Sequence, residues 1–558
     1  MSNRVAGPYR DCMRSVTALA AYASLLAFGT YQTFRPTFDS HFARVQTERG
    51  DGMLNHYILE HTWQVLANPD YCGSLFSPPF FFPERSTLWY SEHLLGVAPL
   101  YWGLRLALPH DLAYQWWQII LDALNFVAFA AVARRLRCPH VLALAGGYLW
   151  AFGLVHVDQI KHQQMIPRLW MPLAAYYAWS FARVPTARAL NRMLACLFLQ
   201  GVSCANTGWF LGAGLATFLP LAIGLRPGGW AETVRFARGN WWRVARIVGG
   251  WTAALAIAFV PYFVVNWGQE RKYLECYGLM PTPAAWLTGP PGTPWDQTLG
   301  PRATDPTLPP PGLRSWVSDE CYLFCGFAIY ALMLAAAAHR LVARRPDRSP
   351  ESAVIAAGLL TAAIWMLLTL TLGQAGHSLW ELVRCVPGSK SIRCVSRVYV
   401  VVYLFGSLAA LVWLARTTEL LRPRVRWALL ALVAVAIIGE QIGYDPPSFE
   451  KQDFYPLADR TAEQLRGADV GYVLPAFTDT SGHKSLNVYG EVFGMWVGMR
   501  ANVPVVNGYS GRTPPGDFPF AAPADDDSLR RWLSGRFRGR LAIITPDRPD
   551  KLRFITIE

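Results

Sequence analysis

Apolar residues in this chain gather into long runs rather than narrow stripes. The runs lie near 15–34, 113–133, 141–157, 166–182, 190–204, 207–225, 245–266, 321–341, 353–373, 397–415 and 425–443. A hydrocarbon core about 30 Å thick takes about 20 residues of helix, so these runs predict about eleven membrane-spanning helices. A further stretch, 94–108, is shorter and is closed by Pro109-His110-Asp111.

Arginines between the runs set the sidedness, because short cytoplasmic loops collect Lys and Arg. If 94–108 does not cross, every basic connection shares one side. These are the N-terminal Arg4, Arg10 and Arg14, the 134–137 turn, the 183–192 and 226–246 loops, and the arginines of 340–348 and 416–426. If it crossed, all except the N-terminus would change sides. The reading is therefore an N-terminus in the cytoplasm, a C-terminus outside, and 94–108 lying at the outer interface or re-entering it. Residues 1–444 then form a transmembrane module with external loops 35–112, 267–319 and 374–396. Residues 445–558 follow as an extracytoplasmic piece. In it the apolar segments 471–477, 503–509, 541–545 and 554–557, the helix-like 456–465 and the turn-rich 514–527 predict a small α/β domain of about 110 residues.

Composition agrees. Of 558 residues, 53% are hydrophobic and 16% charged, and the mean hydropathy is +0.20. Soluble chains carry about 25% charged residues, so disorder is excluded and a purely soluble enzyme is disfavoured. The net charge of +13 sits in arginines between apolar runs, which fits a membrane protein and excludes nucleic acid as a partner. Ten cysteines without a CxxC pair make neither a disulfide scaffold nor a zinc site. The first run lacks a clean small-residue cleavage site and reads as a retained span. No repeat of 20–50 residues and no paired Gly/Pro-broken halves occur, so neither a solenoid nor an inverted-repeat transporter is indicated.

Four polar clusters on the outer side are candidates for chemistry. The first is Arg49-Gly50-Asp51-Gly52-Met53-Leu54-Asn55, where apolar positions 54, 58, 59, 63, 65 and 66 predict an amphipathic helix on the membrane surface. Asp51 at its start is either an N-cap or a general base, and Asp39 is the rival carboxylate. The second is Glu92-His93, an ionisable pair at the mouth of the 94–108 stretch. The third is Asp158 with His162, four apart and so on one helical face, followed by Gln163. Asp158 and His162 suit a divalent cation such as Mg or Mn, and an internal ion pair with Lys161 or Arg168 is the alternative. The fourth is Lys390, Arg393 and Arg397 around Gly388. Three cations there either hold a phosphate or snorkel to the interface. Cys385 and Cys394 share this loop, and a disulfide between them is possible on an oxidising side.

Several strings together resemble a family. They are Gly50–Asn55; Asn68-Pro69; Leu75-Phe76; Phe82-Pro83; Thr87-Leu88-Trp89-Tyr90-Ser91-Glu92-His93-Leu94-Leu95-Gly96; Gln159-Ile160-Lys161-His162-Gln163 with Trp170-Met171-Pro172-Leu173; Val386-Pro387-Gly388 through Arg397; and Val506-Asn507-Gly508-Tyr509-Ser510-Gly511 with Pro514-Pro515. This set is similar to bacterial multispan proteins of the GT-C glycosyltransferase superfamily, the protein-mannosyltransferase-like membrane enzymes. The resemblance runs from the first loop almost to the C-terminus. It implies a transferase in the cytoplasmic membrane that takes a sugar from a polyprenyl-phosphate carrier to an envelope glycan, lipid or protein acceptor, with inversion. It also implies an acidic first-loop residue as the catalytic group. Asp51 matches that position, although the tandem acidic pair often found there is replaced by Asp51-Gly52. Lys390, Arg393 and Arg397 would offset the phosphate charge. Glu92, His93, Asp158, His162 and Gln163 would orient donor or acceptor, with Tyr509 and Arg512 as acceptor contacts. The rival classes are a transporter or flippase of lipid-linked saccharide and a non-enzymatic envelope assembly factor.

Overall fold

The structure is a computed structural model that describes residues 6–296, 320–342, 349–372, 377–474, 485–516, 518, 525–546 and 548–558, with side chains from residue 16 onward except 485–487, 549 and 550. Residues 297–319 of the 267–319 loop, Arg4, Arg344, Arg345, Arg348 and part of the 514–527 interval fall outside these residues.

A helix lies over each of the eleven apolar runs: Ala6–Thr33, His110–Arg135, His140–Phe152 continued by Leu154–Asp158, Trp170–Arg183, Ala187–Ser203, Ala205–Gly224, Trp241–Val265, Phe327–Val342, Pro350–Thr369, Tyr399–Thr417 and Pro423–Gly439. Among the described residues, six stretches are long and apolar enough to cross a membrane: His110–Arg135, His140–Lys161, Ala205–Gly224, Trp241–Val265, Pro350–Thr369 and Val395–Leu420. Local chemistry sets several ends. Thr186 and Ser349 accept from the backbone N–H three residues on and so cap the Ala187–Ser203 and Pro350–Thr369 helices. Gly153 takes an extended conformation between His140–Phe152 and Leu154–Asp158 and re-aims the chain there. The Ala98–Arg105 helix has eight residues. At 1.5 Å per residue it is roughly 12 Å long, too short to cross. Glu60 anchors it, accepting from the Tyr101 hydroxyl at 2.6 Å and from Arg105 at 2.8 Å.

Two large cores result. One fills the helix bundle, with Trp150, Phe210, Tyr399 and Leu411 among its buried members. The other joins the first loop to the C-terminal segment: Met53, Tyr57, Tyr114, Trp117, Phe454 and Trp496 all belong to it. Burying each such side chain contributes roughly 1.5–3 kcal/mol. Backbone pairing adds to the join. Arg44–Val45 runs antiparallel to Phe449–Glu450, and Phe81 N–H donates to the Asn507 carbonyl at 3.0 Å. A three-stranded sheet completes the C-terminal segment. Val470–Val473 is parallel to Gly539–Thr545, which is antiparallel to Arg548–Ile557. The helix Tyr455–Leu465 stands where 456–465 predicted one. The helix Ser485–Ala501 was not anticipated, and 503–506 forms only a bridge beside Gly471 rather than a full strand.

One expectation is overturned. The Asp51–Ala67 helix is not an amphipathic helix on the membrane surface. It is buried from Gly52 through Thr62, packed against Ser485–Ala501 and Ala98–Arg105. Its two histidines survive burial because each ring has a partner. His56 Nδ1 meets the Tyr455 hydroxyl at 3.0 Å, and His61 Nδ1 meets that of Tyr71 at 3.0 Å.

Candidate active site

Asp51 is the first residue of its helix, and Gly50 is the N-cap. The carboxylate therefore does not cap the helix, which corrects the simpler of the two readings. Glu48 does that work, accepting the Asp51 N–H at 3.1 Å. Asp51 is left with both oxygens turned to other parts of the chain. Oδ2 accepts from His162 Nδ1 at 2.9 Å, and Oδ1 accepts from the Tyr509 hydroxyl at 2.6 Å. A side chain at Gly52 would overlap Thr47 and lie 2.9 Å from Gln163 Oε1. The glycine after Asp51 is what allows the 162–164 turn to press against the helix start.

His162 is delivered by a broken helix. Leu154–Asp158 stops, a tight turn spans Gln159–Lys161, and the ring swings toward Asp51. Asp158 and His162 thus do not share a helical face. Asp158 instead pairs with Lys161 at 3.5 Å and accepts from the Tyr444 hydroxyl at 3.0 Å. The segment that follows is fixed by buried amides. Asn55 Nδ2 donates to Gln164 Oε1 at 2.7 Å, Asn125 Nδ2 donates to the Ile166 carbonyl at 2.7 Å, and Asn125 Oδ1 accepts from Arg168 N–H at 3.0 Å.

The second ring nitrogen, His162 Nε2, lies 3.6 Å from Glu320 Oε2. Glu320 in turn stands 3.5 Å from Arg397 and 3.8 Å from Arg393. A network therefore runs Tyr509–Asp51–His162–Glu320–Arg397/Arg393, built from five well-separated stretches of sequence. It sits where the core that joins the first loop to the C-terminal segment meets the bundle. With a carboxylate on each side, the imidazole is favoured as the cation. Burial alone would lower its pKa, but Glu320 and Asp51 outweigh that and raise it. Burial would likewise raise the Asp51 carboxyl. The bonds from His162 and Tyr509, with Arg397 nearby, reverse the effect and hold it well below the usual carboxylate range. Glu320 is pushed down to about 2, its burial outweighed chiefly by His162 and Arg397.

Tyr509 is aimed by a buried frame. The Gly508 N–H donates to Glu491 Oε2 at 2.8 Å and Asn507 Nδ2 donates to the same oxygen at 3.2 Å, while Asn507 Oδ1 accepts from Val473 N–H at 2.7 Å. Burial raises the Glu491 carboxyl to about 8 despite these bonds.

The remaining candidates are placed elsewhere. Asp39 is exposed and accepts from the Tyr31 hydroxyl at 2.9 Å. Glu92 accepts from the backbone N–H groups of Ala205 and Asn206 and so caps the Ala205–Gly224 helix. His93 is buried beside Trp89 and Phe259, and burial lowers its pKa to about 4. Lys390 pairs with Glu270 at 2.8 Å. Lys390 and Arg512 line a cavity of about 480 Å³ together with Tyr262, Trp267, Arg384 and Gly388. Gly388 adopts φ +85 there against the Trp209 ring, a conformation that favours glycine. Cys385 is exposed and Cys394 buried, and both are free thiols, so the possible disulfide is not formed. Among the described residues, no group of three or more His, Cys, Asp or Glu side chains is spaced to hold a metal ion.

Glu48, Glu320 and Glu491 were not singled out from sequence. Glu320 borders the Pro/Gly-rich loop, where no periodicity marks it. Glu491 offered the one usable signal, a lone carboxylate in an otherwise apolar stretch.

No known protein family matches the chain, and no curated protein does. Three similar solved structures come from Archaeoglobus fulgidus. The oligosaccharyltransferase in its apo form gives a TM-score of 0.45 at 12% identity over 88% of this chain and 64% of that one. The oligosaccharyltransferase AglB with an inhibitory peptide and a dolichol-phosphate gives 0.43 at 12% identity, over 94% and 69%. The oligosaccharyltransferase complex with Zn and sulfate gives 0.41 at 11% identity, over 93% and 67%. The chain thus spans less than two thirds of the length of the first.

Proposed function

We propose that this chain is a membrane glycosyltransferase of the GT-C type, in which Asp51 receives the proton of an acceptor hydroxyl as a sugar leaves a polyprenyl-phosphate carrier. The observation that supports this reading best is the Asp51 carboxylate held between His162 and Tyr509, within one network of Arg393 and Arg397. The acceptor oxygen bonds to the anomeric carbon. The bond from that carbon to the phosphate oxygen breaks, its electron pair leaves with the carrier phosphate, and the acceptor proton goes to Asp51.

A carboxylate this acidic is a weak base but is fully ionised. That suffices if the proton moves late, because the acceptor oxygen grows acidic as it bonds to an oxocarbenium-like centre. The phosphate leaves as a stable anion and needs charge compensation rather than a general acid. Arg393, half exposed, and Lys390, Arg384 and Arg512 around the cavity supply cations for it. The aromatic wall of Tyr262, Phe263 and Trp267 suits the first isoprene units. The acceptor hydroxyl would take the place of Tyr509 on Asp51 Oδ1.

The test is a mass-spectrometric comparison of envelope glycans from cells with and without the chain. Loss of one sugar residue from the mature glycan is the expected outcome. Accumulation of an intact lipid-linked saccharide inside the cell would instead identify a translocator.

A further inference from the structure

The end of the Trp241–Val265 helix remote from the cavity carries a feature that the proposed reaction does not use. Tyr262, Phe263 and Asn266 bring the C-terminal end of this helix to the cavity. Its 25 residues rise about 37 Å, so Trp241 lies at the opposite membrane face. Immediately before it stands the Gly229–Gly239 helix. At 3.6 residues per turn, Trp230, Thr233, Val234, Phe236 and Ala237 fall on one side, and Glu232, Arg235 and Arg238 on the other. Phe236 docks on Phe181, with ring centroids 5.9 Å apart. Beyond it, Thr233 and Ala237 are half-buried, whereas Trp230 is 53% exposed and Val234 43%. Trp241 and Trp242, also exposed at 66% and 60%, extend it.

The charge beside this face is one-sided. Arg235, Arg238, Arg243 and Arg246 are all exposed. The single carboxylate between residues 226 and 250 is Glu232, and it is turned to Arg226 at 2.7 Å. An exposed indole row beside exposed guanidinium groups at the mouth of a span matches one chemistry, that of an anionic headgroup whose acyl chains lie alongside. Tryptophan settles at headgroup level. Arginine engages phosphate oxygens in bidentate fashion. A protein surface would have to supply both carboxylates and a hydrophobic wedge at membrane depth. A bilayer supplies phosphate and acyl chain together.

We propose that the Gly229–Gly239 helix and the first two turns of Trp241–Val265 form a binding site for anionic phospholipid on the membrane face opposite the candidate active site. The helix lies in the headgroup layer. Its tryptophans point toward the acyl chains, and Arg235, Arg238, Arg243 and Arg246 hold the phosphates.

The test uses the full chain purified in mild detergent and incubated with mixed micelles of equal phosphatidylglycerol and phosphatidylcholine. Bound lipid is then counted by native mass spectrometry. The wild type is expected to retain phosphatidylglycerol in preference to phosphatidylcholine. The Arg235→Gln/Arg238→Gln/Arg243→Gln/Arg246→Gln variant is expected to lose that preference by at least about tenfold, given the contribution of each cation near an anionic surface. The matching fourfold Lys variant keeps the charge and should keep most of the preference, which separates lost binding from lost folding. Equal retention by wild type and the Gln variant would overturn the proposal, as would loss of binding in the Lys variant to the level of the Gln variant.

Discussion

The Asp51 carboxylate and the His162 ring meet at 2.9 Å although 111 residues separate them in sequence. The contact joins the Asp51–Ala67 helix to the break that follows Leu154–Asp158. Neither element alone would build it. Asp51 faces the break because Glu48 caps its helix, and His162 faces Asp51 because its own helix stops at Asp158. Its strength is a matter of pH, since the pair needs one proton on the ring and none on the carboxylate.

The sign follows from the two shifts. The pKa of His162 is raised in the fold, so its contribution is complete below about pH 6.5 and is lost as pH rises through the higher folded value. Asp51 and Glu320 are lowered, so theirs is present above about pH 4.5 and is lost as pH falls through the lower folded values. Thermal unfolding of wild type and His162→Gln in detergent should show the largest gap between about pH 5 and pH 6.5, shrinking toward pH 9. A gap that stays constant with pH would show that the ring is not charged.

Tyr509 and an acceptor hydroxyl would compete for the same oxygen of Asp51. Tyr509→Phe should therefore lower KM for the acceptor while leaving kcat within about threefold. Steady-state kinetics with a synthetic donor reads this directly. A kcat reduced as severely as that of an Asp51 variant would make Tyr509 part of the chemistry instead.

Glu491 stays protonated in the fold to about pH 8, whereas its unfolded counterpart ionises near 4.5. Its contribution is complete below 4.5 and is lost as pH rises through about 8. Glu491→Gln keeps the shape and removes the titration. At pH 8.5 it should raise the thermal midpoint by a few degrees, and near pH 5 the two proteins should unfold within about a degree of each other. A variant that is less stable at both pH values would contradict the neutral carboxyl.

Glu92 spans two backbone N–H groups at the start of Ala205–Gly224. Glu92→Ala should cost about 1–2 kcal/mol of stability, with KM for the donor unchanged. A raised donor KM at unaltered stability would restore the substrate-orienting role that the resemblance implies.

The helices were legible because long apolar runs are a local signal: a helix lies over each run, and six described stretches are long and apolar enough to cross a membrane. Within the candidate site, Asp51, His162, Arg393, Arg397 and Tyr509 were marked by residue type and motif, and the fold gathers them into one network. Glu320 escaped because it stands at the edge of a loop without periodicity. The burial of Asp51–Ala67 escaped for another reason. The elements that cover it, Tyr455–Leu465 and Ser485–Ala501, lie about 400 residues further along the chain, and no local window can report a contact of that span. Ser485–Ala501 itself was hidden by glycines at 490, 494 and 498, which weaken helix propensity. Gly494 packs directly on Asn507, and Gly498 packs on Val505.

The central claim is that Asp51, rather than the exposed Asp39, takes the acceptor proton. The most direct measurement is sugar transfer from a synthetic polyprenyl-phosphate donor by reconstituted wild type, Asp51→Asn and Asp39→Asn. A fall of about 10²–10⁴ in kcat is expected for Asp51→Asn and a rate within about twofold of wild type for Asp39→Asn. Full transfer by Asp51→Asn in a protein that folds and purifies like wild type would contradict it.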